Sequence, residues 1–360
     1  MIRINMLSKA DTVKGHGVLT AHDEQVALVR EELSDSFEVV ENSRKSCDIY
    51  HFHTINLQYF LRLPLIRRSG ITVGYVHFLP ETLEKSLCLP RGIRELVYRY
   101  VIRFYKSMDY LVTVNPSFVD KLCAYGIPRE KIAYIPNFVS PQRFYKIEGM
   151  DKNAVKAQYG IAPDRFTVLS VGQLQKRKGV LEFIELAKQM PQVEFVWAGG
   201  FSFGKMSDGY EDIRTAMETP PANVKFIGMV ERSEMNALYN MADVMFQPSF
   251  EELFPMTILE AMSCGLPMVL RDLPEYRPIL QGYYLKGSNT GEFKASIESL
   301  RQPRLHHTAS LMSQKGSAFY SRDRIKELWR QYYCTVYSRG REKGRIQLPH
   351  LRGLLGGQKG

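Results

Sequence analysis

Two glutamates stand eight residues apart in the stretch F-E-E-L-F-P-M-T-I-L-E-A-M, residues 250–262. Glu260 lies among apolar residues, and a segment that is apolar nearly all round is typical of a buried helix. A carboxylate in such a place costs several kcal/mol unless a partner group is supplied. Glu252 precedes Pro255, which suits the first helical position, so we predict that Glu252 lies in a loop and Glu260 in the helix that follows.

The spacing of these carboxylates indicates what they could bind. Eight residues correspond to about 12 Å of helical rise, which is longer than one sugar ring. Glu252 and Glu260 could therefore accept hydrogen bonds from hydroxyl groups on two separate rings of one extended ligand. Taken alone, glutamates at this spacing are more typical of ordinary exposed helix charges.

A cluster of cations lies earlier in the chain, where residues 171–180 read V-G-Q-L-Q-K-R-K-G-V. A predicted strand ends at the first glycine, Lys176, Arg177 and Lys178 follow, and a helix is predicted from near Gly179. A helix N-terminus presents free N–H groups and the positive end of the helix dipole. Together with three cations it predicts a diphosphate site, with a solvated basic turn as the alternative.

The elements that must position these residues alternate between short apolar runs and amphipathic segments, which indicates parallel strands joined by crossover helices. We predict two tandem doubly wound α/β sheets, with a boundary between residues 140 and 160. Predicted strands cover residues 2–7, 49–53, 71–77, 111–115, 166–171, 194–198, 224–227 and 244–247, and predicted helices cover 21–33, 180–189 and 233–241.

Ligands of such sheets bind at the loops that follow the strands. If the two sheets face each other, these loops line one cleft, which suits a ligand with two chemically distinct ends. The loop residues to examine include Gly15 to Gly17, His53, His77, Asn115, the 172–179 stretch, Gly199, Gly228 to Val230 and the 248–255 stretch.

Composition restricts the class of protein. The chain has 360 residues, of which 44% are hydrophobic, and a net charge of +10. No run approaches the ~20 apolar residues of a membrane span, and the N-terminus lacks a signal-peptide pattern, so we expect a cytoplasmic location. The charge is local: residues 51–150 hold 14 Lys and Arg against 7 Asp and Glu, and residues 301–360 hold 13 against 3. This distribution predicts a surface for an anionic partner, either nucleic acid or an acidic membrane.

The order of these features resembles glycosyltransferase family 4, the retaining enzymes of GT-B fold. The similarity covers roughly residues 1–300, and its most specific part is P-S-x-x-E-x-F-x-x-x-x-L-E-A-M-S-C-G-L-P, residues 248–267. It implies two Rossmann-like doubly wound domains that face a central cleft. We assign residues 1–145 to an acceptor and membrane-binding domain, 146–320 to a nucleotide-sugar domain, and 321–360 to a helix and a basic, disordered tail.

The resemblance also implies roles for single residues. Glu252 would orient the donor hexose, Glu260 would accept the ribose hydroxyls, and Lys178 would neutralise the diphosphate. Further donor contacts would come from the glycine loop at Gly15 and Gly17, from Met229 and Val230 at the uracil, and from the backbone of Phe254, Pro255 and Met256. His77 would lie beside the reacting sugar. Many relatives carry arginine in place of Gln173, so Lys176 or Arg177 would have to replace that cation.

The mechanism expected from this resemblance needs no metal and no cofactor. Fixed cations and a helix N-terminus can stabilise the negative charge of the departing diphosphate. The sequence contains no D-x-D pattern, by which glycosyltransferases of the other major fold hold a metal ion. We expect retention by front-face attack, with the leaving phosphate oxygen helping to deprotonate the acceptor hydroxyl.

A predicted helix in residues 91–107 combines cations with bulky apolar residues, which suits an anionic membrane interface. Residues 61–68 could join this surface. The alternative is an ordinary surface helix whose apolar side belongs to the core. The cations are Arg91, Arg94, Arg99, Arg103 and Lys106.

Residues 4–17 and 74–84 narrow the resemblance to Gram-positive glycolipid synthases that add a second α-hexose to monoglucosyldiacylglycerol. This implies UDP-galactose or UDP-glucose as donor, a glycolipid acceptor near Glu81, an anionic membrane surface and no nucleic acid. The enzyme would associate peripherally with the inner face of the plasma membrane. Alternatives are a transferase for a polysaccharide or protein glycan, a UDP-sugar epimerase and a nucleic-acid-binding protein.

Overall fold

The computed structural model describes residues 1–9, 17–80, 91–202, 204 and 207–346. Within these residues the chain forms two six-stranded sheets, and all paired strands are parallel. Most successive strands are joined through a helix, the usual connection between parallel strands, whereas residues 42–48 join the second and third strands without one. The predicted tandem α/β architecture is confirmed.

The first sheet has the strand order β2-β1-β3-β4-β5-β6. Its central strands are buried along their whole length, which agrees with their continuous apolar runs. The strands are β1 (Ile2–Leu7), β2 (Phe37–Glu41), β3 (Ile49–Phe52), β4 (Ile71–Val76), β5 (Tyr110–Thr113) and β6 (Ile132–Tyr134). The helices are α1 (Gly17–Glu32), α2 (Leu57–Ser69), α3 (Arg91–Lys106) and α4 (Ser117–Ala124).

The second sheet has the order β12-β11-β10-β7-β8-β9. Its strands are β7 (Thr167–Val171), β8 (Glu194–Ala198), β9 (Val224–Gly228), β10 (Val244–Gln247), β11 (Met268–Arg271) and β12 (Leu285–Gly287). The helices of this half are α5 (Lys152–Gln158), α6 (Val180–Lys188), α7 (Tyr210–Glu218), α8 (Met235–Met241), α9 (Met256–Ser263), α10 (Arg277–Leu280), α11 (Thr290–Leu300) and α12 (Pro303–Ala318).

The last helix of the described residues, α13 (Arg322–Glu342), returns to the first sheet. The hydroxyl of Tyr333 lies 2.8 Å from Nδ1 of His51 and 2.7 Å from Nε2 of Gln25. At the helix surface Arg322 pairs with Glu32, and Arg330 pairs with Asp35 at 3.0 Å. Helix α13 and the first sheet therefore belong to one folded unit.

The sequence predictions miss short or irregular elements. Strands β2, β6, β11 and β12 were not predicted, and α1 begins at Gly17 rather than at residue 21. The first sheet ends at Tyr134 and the second begins at Thr167, so the predicted boundary falls between them. The exact domain limits at 145 and 320 stay a prediction, and the tail beyond residue 346 lies outside the described residues. Nowhere in the described ranges does a helix have both the length and the apolar character needed to cross a bilayer.

Candidate active site

The topology of the second sheet brings the two charged stretches of the sequence together. Strands β7 and β10 are neighbours, with Val168 opposite Val244, although the chain visits two other strands between them. Such a reversal of strand order opens a crevice at the carboxyl ends of the two strands, where doubly wound sheets bind ligands. The loop after β7 carries the three cations, and the loop after β10 carries Glu252.

Gly179 permits the close approach of these loops. It has a φ of +76°, and a Cβ atom at this position would lie 2.6 Å from the carbonyl oxygen of Pro248. Only glycine fits both the left-handed conformation and this contact. The N–H of Phe250 also donates to the carbonyl of Arg177 at 2.7 Å. The turn at 176–178, a short 3₁₀ helix, is thereby held against the loop after β10.

Lys178 and Glu252 form an ion pair inside this crevice, between Nζ and Oε1. Their side chains are only 12% and 6% exposed. Gln247 also donates to the same carboxylate oxygen, at 3.2 Å. Burial lowers the pKa of Lys178, although the charge of Glu252 opposes this shift. Burial also works against the charged form of Glu252, but Lys178 and Arg177 outweigh it and lower the pKa of this carboxyl.

Glu260 lies in α9 and is buried, as its apolar neighbours predict. The structure identifies the groups that compensate its charge. Arg232 donates to one carboxylate oxygen, and the hydroxyl of Tyr239 donates to the other at 2.7 Å. Burial opposes the charged form of Arg232, but the carboxylates of Glu260 and Glu24 outweigh it and raise its pKa. A ribose that bound to Glu260 would therefore compete with Arg232 for the same oxygens.

Arg232 also extends toward the first sheet. Its Nη2 lies 3.8 Å from a carboxylate oxygen of Glu24 in α1, and Arg143 lies 3.4 Å from the same oxygen. The guanidinium stacks over the ring of Phe144 at 4.6 Å. Burial raises the pKa of Glu24, although these cations oppose the shift. The carboxylate predicted to bind ribose is thus linked through one arginine to helix α1.

Two details of the 252–256 loop differ from the prediction. Helix α9 begins at Met256, and Pro255 precedes it in an extended conformation, so Pro255 is not the first helical residue. Only the second half of the eight-residue spacing is helical, and the predicted helical rise of about 12 Å does not apply to it. Proline also lacks an N–H group, so of the three predicted positions 254–256 only Phe254 and Met256 have a backbone N–H to donate.

The other predicted donor residues follow neighbouring strands. Met229 and Val230 come directly after β9, and the Met229 side chain is 55% exposed. Gln173 is half-buried just after β7, whereas Lys176 is exposed. Arg177 Nη1 lies 3.4 Å from the carbonyl of Glu251, so it also reaches the loop after β10. The individual roles of these residues in donor binding stay predictions.

His77 lies at the end of β4, on the first sheet. Its ring centroid is 4.2 Å from that of Tyr75 and 5.9 Å from that of His53. His51 and His53 are fully buried beneath it, and burial lowers the pKa of both imidazoles well below the ordinary value. The first sheet therefore places neutral rings where the second sheet places ion pairs.

Several predicted residues lie outside what the structure describes or at its margin. Gly15 and Glu81 lie outside the described residues. Gly17 is the first residue of α1, and Arg91 is the first residue of α3, with a side chain outside the described part.

The remaining predicted cations line α3. Arg94 is half-buried and Lys106 is exposed. Arg99 pairs with Glu95 at 3.7 Å, and the guanidinium of Arg103 lies 6.0 Å from the ring centroid of Phe60 in α2. Helices α2 and α3 are therefore neighbours, as the predicted common surface of residues 61–68 and 91–107 requires.

Sequence reasoning did not assign a role to Arg232, Tyr239 or Glu24, none of which lies in the most specific stretch, residues 248–267. It also missed Asn137, and it noted Asn115 only as a residue after a strand. A weak signal existed for Arg232, which follows the loop after β9 by a few residues. The described residues contain no group of three or more His, Cys, Asp and Glu side chains placed to hold a metal ion.

Two family models match the chain on either side of the junction between the sheets. The model described as glycosyl transferases group 1 matches residues 151–302, and the model described as glycosyltransferase family 4 matches residues 29–143. An α-galactosylglucosyldiacylglycerol synthase from Streptococcus pneumoniae (strain R6) is 44% identical over 95% of this chain and 91% of its own length. The chain belongs to glycosyltransferase family 4.

One further relative and two solved structures are similar to this glycosyltransferase at lower identity. A processive diacylglycerol α-glucosyltransferase from Acholeplasma laidlawii is 26% identical over 77% of the chain and 82% of its own length. Among solved structures, Anabaena HepE in complex with UDP-glucose has a TM-score of 0.74 at 16% identity, over 93% of this chain and 100% of its own. Sucrose-phosphate synthase from Thermosynechococcus elongatus has a TM-score of 0.76 at 15% identity, over 94% and 100%. The predicted GT-B fold and glycosyltransferase class are confirmed.

Proposed function

We propose that this enzyme transfers galactose or glucose from a UDP-sugar to monoglucosyldiacylglycerol, with retention of configuration, and so forms a dihexosyldiacylglycerol. The observation that carries the proposal is the buried pair of Lys178 and Glu252 at the switch point of the second sheet. The pneumococcal and Acholeplasma relatives are named as diacylglycerol glycolipid enzymes, which supports the acceptor class.

The chemistry of the donor follows from these charges. Cleavage of the bond between sugar C1 and UDP places negative charge on the departing diphosphate, which Lys178 and Arg177 would stabilise at the start of α6. Diphosphate oxygens would compete with Glu252 for the N–H groups of Lys178, so the carboxylate becomes available to a sugar hydroxyl. The leaving phosphate oxygen would then help to deprotonate the acceptor hydroxyl. Because the protein supplies the positive charge, we expect no metal requirement.

The acceptor would approach from the first sheet. His77 follows β4 and faces the group of rings formed with Tyr75 and His53. An imidazole ring carries two nitrogens that can take part in hydrogen bonds with a sugar hydroxyl. We assign to His77 a contact with the reacting sugar.

An exposed apolar stripe on α2 and α3 supports membrane association. Leu57, Leu61 and Leu65 recur every four residues of α2, so they lie on one helix face. With Ile93 and Leu96 of α3, they are between 53% and 70% exposed. The exposed cations beside this stripe are Arg62, Arg67, Arg68, Arg99 and Arg103.

The inner faces of the same helices belong to the core. Phe60 of α2 packs against Tyr100 and Phe104 of α3, at ring distances of 5.6 and 6.1 Å. The two helices thus form one outer surface, and apolar residues bordered by cations suit the interface of an anionic bilayer. We assign this surface to peripheral membrane binding.

A transfer assay tests the function directly. The protein is incubated with labelled UDP-galactose or UDP-glucose, a chelator, and vesicles of monoglucosyldiacylglycerol with phosphatidylglycerol. We expect a labelled dihexosyl lipid with an α-linkage from one of the two donors. Absence of this product with either donor would overturn the acceptor assignment, and product that appears only without chelator would overturn metal independence. Conversion of UDP-sugar without acceptor would instead indicate an epimerase.

A vesicle-binding assay tests the membrane surface. The variant carrying Leu61→Ser and Leu65→Ser should partition into phosphatidylglycerol vesicles at least about tenfold more weakly, because two exposed leucines no longer enter the interface. The matched control carries Leu305→Ser and Leu311→Ser, two exposed leucines of α12. An equal loss of binding in both variants would contradict the assignment of the surface to α2 and α3.

A further inference from the structure

Two asparagines of the first sheet reach across to the loop that carries Glu252. Asn115 follows β5, and its amide donates to the carbonyl of Leu253 at 2.7 Å. Asn137 follows β6, and its amide donates to the carbonyl of Phe254 at 3.1 Å. Both asparagines are buried, at 0% and 8% exposure. Two consecutive carbonyls of the 252–256 loop are thus held by side chains of the other sheet.

We propose that Asn115 and Asn137 are positioning residues, by which the first sheet sets the conformation of the loop that receives the donor hexose. The inference rests on the proposed function, because that function assigns the 252–256 loop to the hexose. Neither asparagine touches the reacting atoms. Each acts through the backbone of the loop.

The geometry of the peptide group explains how this works. The peptide between Leu253 and Phe254 is trans, so its C=O and N–H groups point in opposite directions. The bond from Asn115 to the Leu253 carbonyl therefore also fixes the direction of the Phe254 N–H. Of the three positions predicted to offer backbone N–H groups to the hexose, 254–256, only Phe254 and Met256 have one, since Pro255 has none. A donated hydrogen bond at the carbonyl also polarises the peptide, which strengthens its N–H as a donor.

The side chain of Asn115 is itself held in one orientation. Its second amide hydrogen reaches the carbonyl of Glu275 at 3.0 Å, in the turn after β11. Its carbonyl oxygen accepts from the N–H and the hydroxyl of Ser117, at 3.0 and 2.8 Å. Both donors and both acceptor sites of the amide are therefore used. A side chain with this network can determine where a loop lies.

Asn137 connects the same loop to the predicted acceptor side. The hydroxyl of Tyr75 donates to its side-chain oxygen at 3.4 Å, and the Tyr75 ring contacts that of His77. The loop that holds the donor hexose and the histidine beside the reacting sugar are therefore joined through Tyr75 and Asn137. The donor loop reaches its working shape only when the second sheet is docked on the first.

The test compares three matched substitutions of asparagine by aspartate. Asn115→Asp keeps the shape of the side chain but turns a carboxylate oxygen toward two carbonyl oxygens. Asn137→Asp turns a carboxylate oxygen toward one carbonyl oxygen, that of Phe254, at the longer contact of 3.1 Å. The control is Asn223→Asp, because buried Asn223 also donates to backbone carbonyls at 2.9–3.0 Å, those of Ala187, Met190 and Val193, all within the half of the chain that forms the second sheet.

Misplacement of the hexose loop should lower kcat about 100-fold in Asn115→Asp and about tenfold in Asn137→Asp, whereas UDP affinity should stay within about threefold of wild type. Calorimetry should show that affinity for UDP-glucose or UDP-galactose falls toward that for UDP alone. Asn223→Asp should lower the melting temperature and leave kcat per folded molecule unchanged. If Asn115→Asp shows no cooperative melting transition, Asn137→Asp carries the test.

A purely structural role would lower UDP and UDP-hexose affinity by the same factor and leave kcat alone, and this result would overturn the inference. The calorimetric ratio of UDP-hexose to UDP affinity needs no acceptor. It therefore tests the asparagines even if the wild-type protein fails to glycosylate monoglucosyldiacylglycerol, a failure that would count against the proposed function alone.

Discussion

Buried polar groups occur at the ligand edge of both sheets, but they differ in charge. At the second sheet the buried carboxylates of Glu252 and Glu260 form ion pairs with Lys178 and Arg232. At the first sheet they are the rings of His51, His53 and Tyr75, which are neutral because burial lowers the pKa of the imidazoles and raises that of the phenol. The two halves of the cleft therefore offer different surroundings to the two substrates.

The difference matches the charge of each substrate. A nucleotide diphosphate is an anion, and it is bound most favourably where cations are already fixed in place and partly shielded from water. A buried cation needs a carboxylate partner while the site is empty, since an unpaired buried charge is costly. A sugar hydroxyl is neutral and needs only hydrogen-bonding groups. We infer that the ion pairs hold the donor site ready, while the neutral rings suit the acceptor.

The strongest way to break the comparison is to remove the buried cation. Lys178→Ala leaves Glu252 buried without its ion pair. It also removes the cation that would stabilise the negative charge of the departing diphosphate. We expect kcat to fall by about 100- to 1,000-fold. Steady-state transfer kinetics measure this loss. Lys176→Ala is the control, because Lys176 is exposed in the same turn. An equal loss in the control would move the diphosphate contact to Lys176.

A smaller effect is expected at the second ion pair. Glu260→Gln removes the charged acceptor assigned to the ribose hydroxyls, so UDP should bind about 30-fold more weakly. Calorimetric titration with UDP measures the change. The control is Glu231→Gln, an exposed carboxylate on the nearby loop. Unchanged UDP affinity in Glu260→Gln would show that Arg232 and Tyr239 are structural partners of this carboxylate and that ribose binds elsewhere.

The buried rings of the first sheet should make the stability of the protein depend on pH, and this effect should be smaller than the loss of an ion pair. His51 and His53 have lowered pKa values when folded, so below about pH 6.5 the unfolded chain binds protons that the folded chain does not. As the pH is lowered below 6.5, the free energy of unfolding should then fall by about 1.4 kcal/mol for each unit of pH and each histidine. Above pH 6.5 these groups should contribute no slope.

Urea unfolding between pH 5 and 8 measures this slope. His53→Phe replaces one buried imidazole by a ring that does not titrate, so the slope below pH 6.5 should become shallower. His307→Gln is the control, because His307 is exposed on α12. A slope that His307→Gln reduces as much as His53→Phe would show that the acid sensitivity arises outside the buried rings.

The sequence was informative where chemistry and periodicity coincide. The strands β1, β8 and β10 lie where apolar runs predicted them, and the loops after the strands of the second sheet carry the predicted donor residues. The edge strands β6 and β12 have only three residues each, which is too short for a period of two to stand out. Their pairing depends on neighbours that only the folded sheet supplies.

The partners of the two glutamates could not be predicted in the same way. A buried charge predicts that some partner exists, but Lys178 and Glu252 are 74 residues apart in the chain. Their meeting depends on the reversal of strand order at β7 and β10. Asn115 lies 138 residues from Leu253 and donates to its backbone carbonyl. Every residue type has such a carbonyl, so the identity of residue 253 does not indicate the contact. Contacts of this kind follow from topology rather than from local pattern.

The return of α13 to the first sheet has a practical consequence for dividing the protein. A fragment that stops before residue 322 exposes the surface that Trp329 and Tyr333 cover, where the ring of Trp329 lies 5.5 Å from that of His51. The half that contains the second sheet is inserted in the first half, because the chain enters it from the first sheet and returns to the first sheet through α13. A permuted protein whose new ends lie within the 150s, with the original ends joined by a linker, would keep each half contiguous.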